Sequence, residues 1–180
     1  MGLRRGTKKV TDPAWNDIVK QLGPALLRYF SASFPTAIAS DLVQEVLIRL
    51  VRKHRSGHFV EAKGTLRMFA FGIAHYVRLE GLKATPVETH FADTTDYDGR
   101  SFQVSAEPEN AEKIFRLRQA LLSLSETERQ IILLHIDEEM TLAHISEILK
   151  IPVGTVKSHV HRAKEKLKKR LMPDKGVQNG

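Results

Sequence analysis

The sequence predicts an all-α protein of two small helical domains joined by a flexible acidic linker, the C-terminal one a helix-turn-helix. Three observations carry this. Apolar residues recur at helical spacing through residues 13–84 and again from residue 111. No strand-like alternation outlasts a few residues, and no internal repeat is present. Between the two helical stretches, residues 85–112 hold seven acids (Glu88, Asp93, Asp96, Asp98, Glu107, Glu109, Glu112) against Arg100, with no sustained apolar period. The expected divisions are residues 12–85, a linker at 86–110, and residues 111–172.

In the first block, helix breaks are expected at Gly23-Pro24, at Phe34-Pro35 and around Ser56-Gly57. A helix over residues 41–52 directs Leu42, Val43, Val46, Leu47 and Leu50 inward. Asp41, Gln44, Glu45, Ile48, Arg49 and Arg52 fall on its other side, where an apolar Ile48 among polar groups suits a protein-binding face. In the second block, Ile114, Leu117, Leu121 and Leu124 share a face. Ser125 with Glu128 three residues on reads as a capping box that opens the next helix. Thr141 caps a helix burying Leu142, Ile145, Ile148 and Leu149, and Pro152 suits the first turn of a last helix running through Lys169.

On that last helix, Val156, Val160, Ala163 and Leu167 fall within an arc of about 60° when residues are placed about 100° apart. The other side carries Thr155, Lys157, Ser158, His161, Arg162 and Glu165. Residues 157–170 hold seven basic side chains (Lys157, Arg162, Lys164, Lys166, Lys168, Lys169, Arg170), with Glu165 as the acid. A charge run alone is an ordinary solvated face. Preceded by a helix, a short turn and a proline, it reads as a recognition helix, whose first turns reach base edges while nearby cations hold phosphates. The formal net charge of +7 agrees with a polyanionic partner.

Other function classes lose ground on composition. The chain has no cysteine, which excludes disulfides, thiolate metal sites and thiol nucleophiles. Of the eight histidines, His159 and His161 point about 200° apart on a helix and cannot share a metal. No paired carboxylates, Gly-rich phosphate loop or nucleophile elbow is evident, so neither catalysis, nor a metal, nor a cofactor is expected. No apolar stretch has the length of a membrane span and none follows the basic N-terminus as a signal core, which predicts a cytoplasmic protein without a membrane partner.

Residues 141–171, TLAHISEILKIPVGTVKSHVHRAKEKLKKRL, resemble the region 4 helix-turn-helix of bacterial RNA polymerase sigma factors, especially the extracytoplasmic-function group. LuxR-type regulators share a similar Thr-Val-Lys-x-His pattern and stand as the alternative. Two upstream segments favour the sigma family: DLVQEV at 41–46 looks like region 2.2, and FAFGIAHY at 69–76 is similar to the pattern of regions 2.3 to 2.4. His75 and Tyr76 stand where that pattern has Arg and Asn, Lys150 where the turn usually has Gly, and His159 where Arg is common.

The resemblance implies a transcription initiation factor that binds core RNA polymerase through the β′ clamp helices and the β flap, and directs it to promoter DNA. Asp41, Gln44, Glu45, Ile48, Arg49 and Arg52 would then meet the polymerase. Arg67, Phe69, Phe71, His75, Tyr76, Arg78 and Lys83 would hold the opened −10 strand, since stacking and cationic contacts suit unpaired bases. The loop KHRSGHF at 53–59 could reach a flipped base. Thr155, Lys157, Ser158, His159, His161, Arg162 and Lys164 would meet the −35 duplex. An anti-sigma factor is a further partner by family analogy.

Overall fold

A computed structural model describes residues 14–84 and 108–172; the acidic segment at 85–107 lies outside the described residues, and with it most of the expected linker. The regular elements among the described residues are all helical, in the order α1 (Trp15–Ser31), α2 (Thr36–Arg55), a short 3-10 turn (Glu61–Lys63), α3 (Leu66–Ala84), α4 (Pro108–Leu122), α5 (Glu126–Ile132), α6 (Leu142–Leu149) and α7 (Val153–Leu171).

Helix α1 corrects one expectation. Gly23-Pro24 does not break it; Pro24 lies inside the helix. A proline within a helix costs about 3 kcal/mol, but Leu22, Ala25, Leu26, Tyr29 and Phe30 are all buried on this helix, and that packing outweighs the lost hydrogen bond. The other two breaks form as expected: α1 gives way to α2 across Phe34-Pro35, and α2 ends at Ser56, followed by Gly57 at φ 74°, a left-handed backbone that glycine adopts without strain. Helix α3 packs on α1 and α2. Its Gly81 packs tightly against the rest of the first half, because a Cβ there would meet Phe34 at 3.2 Å and Leu42 at 3.3 Å.

In the second half, Ser125 accepts from the Glu128 amide at 3.3 Å while Glu128 accepts from the Ser125 amide at 2.9 Å, so the capping box is complete. Helix α5 continues into a π-helical turn over Leu133–Asp137, and this wider turn presents Asp137 and Glu138 to the first half. Thr141 caps α6 by accepting from the His144 amide at 3.2 Å. Lys150 then takes φ 56°, ψ 39°, the left-handed conformation that glycine commonly supplies at helix C-termini, which explains the usual glycine at this turn. Leu117 departs from its expected inward face: it is 46% exposed, and its neighbour Phe115 is 61% exposed.

The two halves share a core. Buried residues of α1–α3 (Leu26, Phe30, Val46, Phe71, Ile73) and of α5–α7 (Ile131, Ile145, Ile148, Val156) form one continuous cluster, with α6 packed on α3. A smaller cluster of Leu124, Ile132 and Ala163 ties α7 to α5, with Leu121 and Leu167 packed against it.

Candidate nucleic-acid and polymerase interfaces

Helix α7 presents its apolar side inward and its polar side to solvent. Val156 and Ala163 are fully buried and Val160 nearly so; Thr155, Lys157, Ser158, His161, Arg162 and Lys164 are exposed, and His159 is half-buried. Ser158 donates to the Gly154 carbonyl at 3.0 Å, which leaves its oxygen free to accept. Arg162 pairs with the His159 ring at 3.1 Å and lies 3.8 Å from Glu128. Lys166 donates to Glu128 at 2.7 Å, so one capping-box carboxylate both starts α5 and braces α7. Burial pushes the Glu128 carboxyl up, but the Lys166 and Ser125 hydrogen bonds outweigh it and hold its pKa below the usual range. The sequence-predicted −35 residues therefore gather on one outward face whose axis is fixed from below.

On α2, Asp41, Gln44, Ile48 and Arg52 are exposed, with Ile48 at 45%. Glu45 and Arg49 are half-buried and occupied: Arg49 donates to Glu45 at 2.6 Å and to the two Glu80 oxygens at 3.0 and 2.7 Å. Hydrogen bonds to Glu80 and Glu45 raise the Arg49 pKa, and Arg49 in turn lowers that of Glu80. The six predicted residues share one side of α2, as the spacing required, and Glu80 of α3 joins them through Arg49.

Helix α3 is arranged differently. Tyr76 and Lys83 are exposed, and Arg67 and Phe69 half-buried. Phe71 has no exposed surface and meets Tyr29 edge-on with ring centroids 5.6 Å apart; it is a core residue, and the expectation that it stacks on a base is corrected. His75 is 9% exposed, its Nδ1 without a hydrogen bond, and burial followed by the Arg78 charge lowers its pKa. Arg78 is 2% exposed, enclosed by Ser33 and by Glu126 and Gln130 of the second half. Burial brings its pKa down to about 10. In this conformation neither His75 nor Arg78 faces solvent.

What α3 does bring together is a groove of about 570 Å³ where Phe69 and Tyr76 join His58 and Phe59 of the loop after α2, with Glu147 and Ile148 of α6 on the far wall. His54 lines up behind them, stacked on Phe59 at 5.7 Å and edge-on to Trp15 at 5.2 Å. Sequence reasoning singled out the 53–59 loop but missed the side chains that join the halves: Ser33, Glu126, Arg129 and Glu138. Each reads in sequence as an ordinary helix-end residue, and nothing local marks it as a long-range partner.

Among the described residues no group of His, Asp or Glu is placed to hold a metal ion, and no helix is long and apolar enough to cross a membrane.

Residues 114–167 match the family model described as sigma-70, region 4. Over 55 residues the chain is 46% identical to the ECF RNA polymerase sigma factor SigW of Bacillus subtilis, a match spanning 31% of this chain and 29% of that protein. Over 162 residues it is 25% identical to the RNA polymerase sigma factor YlaC of the same organism, covering 86% of this chain and 90% of that one. In three dimensions it resembles the sigma factor RpoE of Bartonella quintana, solved in complex with the anti-sigma factor NepR, with a TM-score of 0.67 over 89% of this chain and 98% of that one at 23% identity, a likeness of fold. The helix-turn-helix of α6 and α7 thus lies almost entirely within residues that match sigma-70 region 4, and the chain is similar to RNA polymerase sigma factors, including one of the extracytoplasmic-function group.

Proposed function

We propose that this chain is an alternative sigma factor, a non-catalytic initiation subunit that binds core RNA polymerase in the cytoplasm and directs it to a set of promoters. The observation that carries the reading is the outward face of α7, where Thr155, Lys157, Ser158 and Arg162 stand exposed at the start of a basic helix, within the residues that match sigma-70 region 4. In this reading α7 enters the −35 major groove, with Lys157, Arg162 and Lys164 on phosphates and Thr155, Ser158, His159 and His161 near base edges. Asp41, Gln44, Glu45, Ile48, Arg49 and Arg52 on α2 form the face for the β′ clamp helices, and the second half meets the β flap. Phe69, Tyr76, Arg67 and Lys83, with His75 and Arg78 once they are released, hold the unpaired −10 strand. Strand opening is driven by binding, since trapping unstacked bases on protein offsets the few kcal/mol of unstacking.

Residues 12–85 and 111–172 act as the two functional domains, and residues 86–110 join them. The RpoE relative was solved with an anti-sigma factor, which supports a partner of that kind for this chain. A LuxR-type regulator, the alternative, is disfavoured by the helical first half, which aligns with the sigma factor YlaC and carries no receiver-like alternation of strand and helix.

Co-purification tests the proposal. The chain should be retained by core RNA polymerase, and Gln44→Ala with Glu45→Ala should lose that retention. Failure of the unaltered chain to bind core enzyme, together with unaided binding to a duplex operator, would favour the LuxR-type reading.

A further inference from the structure

Helix α7 carries two histidines clear of its buried stripe, and their surroundings differ. His161 is exposed and has no hydrogen-bond partner among the described residues, so its ring offers a donor or an acceptor at either nitrogen. His159 is half-buried and engaged: Arg162 Nη2 meets its Nδ1 at 3.1 Å. A guanidinium has only donors, so Nδ1 accepts, and the ring is neutral with its one proton on Nε2. That Nε2–H has no partner among the described residues.

Arg162 is itself oriented from below. Its Nε lies 3.8 Å from Glu128, whose carboxylate is 4% exposed and is fixed by Lys166 at 2.7 Å and by the Ser125 amide at 2.9 Å. At that separation Glu128 steers the guanidinium by charge rather than by a hydrogen bond. The bond from Arg162 to His159 joins neighbours three residues apart on one helix and is charge-assisted. Arg162 Nη1 has no partner among the described residues and stays available to a phosphate.

We propose that His159 is a specificity-determining residue of α7 that reads a hydrogen-bond acceptor on one base edge, guanine first, and that Arg162 is the positioning residue that fixes its tautomer. The proposal rests on the sigma-factor reading for the DNA that α7 meets, and on the Arg162–His159 contact for the polarity of the ring. At about 100° per residue, Thr155, His159 and Arg162 lie within about 60° of one another, so the Nε2–H donor shares a flank of α7 with both. In the major groove guanine presents two acceptors, N7 and O6. Adenine and thymine present acceptors too, but cytosine presents an amine donor. A lone N–H therefore favours guanine, tolerates adenine and thymine, and rejects cytosine, against which two donors would face each other. With the tautomer released, Nε2 also accepts, and cytosine is no longer rejected.

Two measurements on the full chain test this. Nuclear magnetic resonance of isotope-labelled ring nitrogens in the free chain needs neither DNA nor polymerase, and at about pH 8 an ordinary imidazole is neutral. The His159 signals, assigned by their loss in His159→Gln, should report one tautomer with the proton on Nε2. Arg162→Met, which removes the donors, should give a mixture. A proton on Nδ1 in the unaltered chain, or the same tautomer in both chains, overturns the proposal.

The second measurement lets holoenzyme, reconstituted from core RNA polymerase and the chain, select from promoter duplexes randomised upstream. One position should disfavour cytosine relative to guanine by about fivefold, the lower end of what a base-edge contact is worth. His159→Ala should lose that preference, and Arg162→Met should reduce it at the same position. An Arg162 that only held a phosphate would weaken all sequences alike. Preferences unchanged in both variants overturn the proposal and leave the sigma-factor reading standing. A chain that core enzyme does not retain sinks the sigma-factor reading and the base assignment with it, and the tautomer measurement alone then decides the Arg162–His159 pairing.

Discussion

Helices α3 and α7 are both assigned to DNA, yet they hold their cations in opposite ways. On α7 one side is apolar and covered, and the other is basic and open, with Lys157, Arg162 and Lys164 in solvent. On α3 the cover comes from α1, α2 and α6, and Arg78 lies deeper than most of the leucines. A helix packed on one side presents its polar face by default. A helix packed from several directions presents only what the last partner leaves uncovered, and here that partner is the other half of the same chain.

This difference is open to test, beginning within α3 itself. Phe71→Ala should destabilise the fold by about 3 to 5 kcal/mol as a large core truncation. Tyr76→Ala, five residues on and exposed, should leave stability within about 0.5 kcal/mol and weaken single-stranded DNA binding by about 1 to 3 kcal/mol. Urea denaturation and a fluorescence binding titration separate the two; equal stability losses would erase the inside–outside division of α3. Arg129→Ala should cost about 3 kcal/mol, because it strands carbonyls at the ends of both α4 and α1 that now share one guanidinium. A calorimetric midpoint equal to that of the unaltered chain would show that this bridge between the halves adds nothing.

On α7 the expected change is in binding rather than folding. Lys157→Ala and Arg162→Ala should each weaken promoter duplex binding and lower the slope of log affinity against log salt by about 1. Unchanged slopes in both would remove α7 from the DNA. The smallest effect concerns pH. Since the Glu128 carboxyl is held below its ordinary range in the folded chain, its stabilisation is complete above the unfolded carboxylate range and is lost as pH falls through its folded pKa. Glu128→Gln should therefore flatten the acid side of the stability profile measured down to about pH 3; an acid limb as steep as before would assign that loss to other carboxylates.

The same contrast decides what was legible in the sequence. The capping box of Ser125 and Glu128, the Thr141 cap and the apolar stripe of Val156, Val160 and Ala163 are local patterns, so spacing and residue type located them, and the exposed basic side of α7 followed. The polar side of α2 was legible for the same reason. Pro24 was misread because its cost is local while the compensation, the buried side of α1, is tertiary. Phe71, His75 and Arg78 fall on α3 where family resemblance suggests a DNA surface, but their burial is set by α1 and by the second half, whose approach no spacing records. Arg129 reaches Ala32 across 97 residues of chain and Glu138 meets Arg67 across 71, and only the fold brings their partners within reach.

The central claim is that this chain confers promoter choice on RNA polymerase, and run-off transcription with core enzyme measures it most directly. Adding the chain to core polymerase on DNA from its own genome should yield discrete transcripts whose start sites share common upstream elements, and Lys157→Ala with Arg162→Ala should abolish them. Core enzyme that starts at the same places with and without the chain would contradict the account.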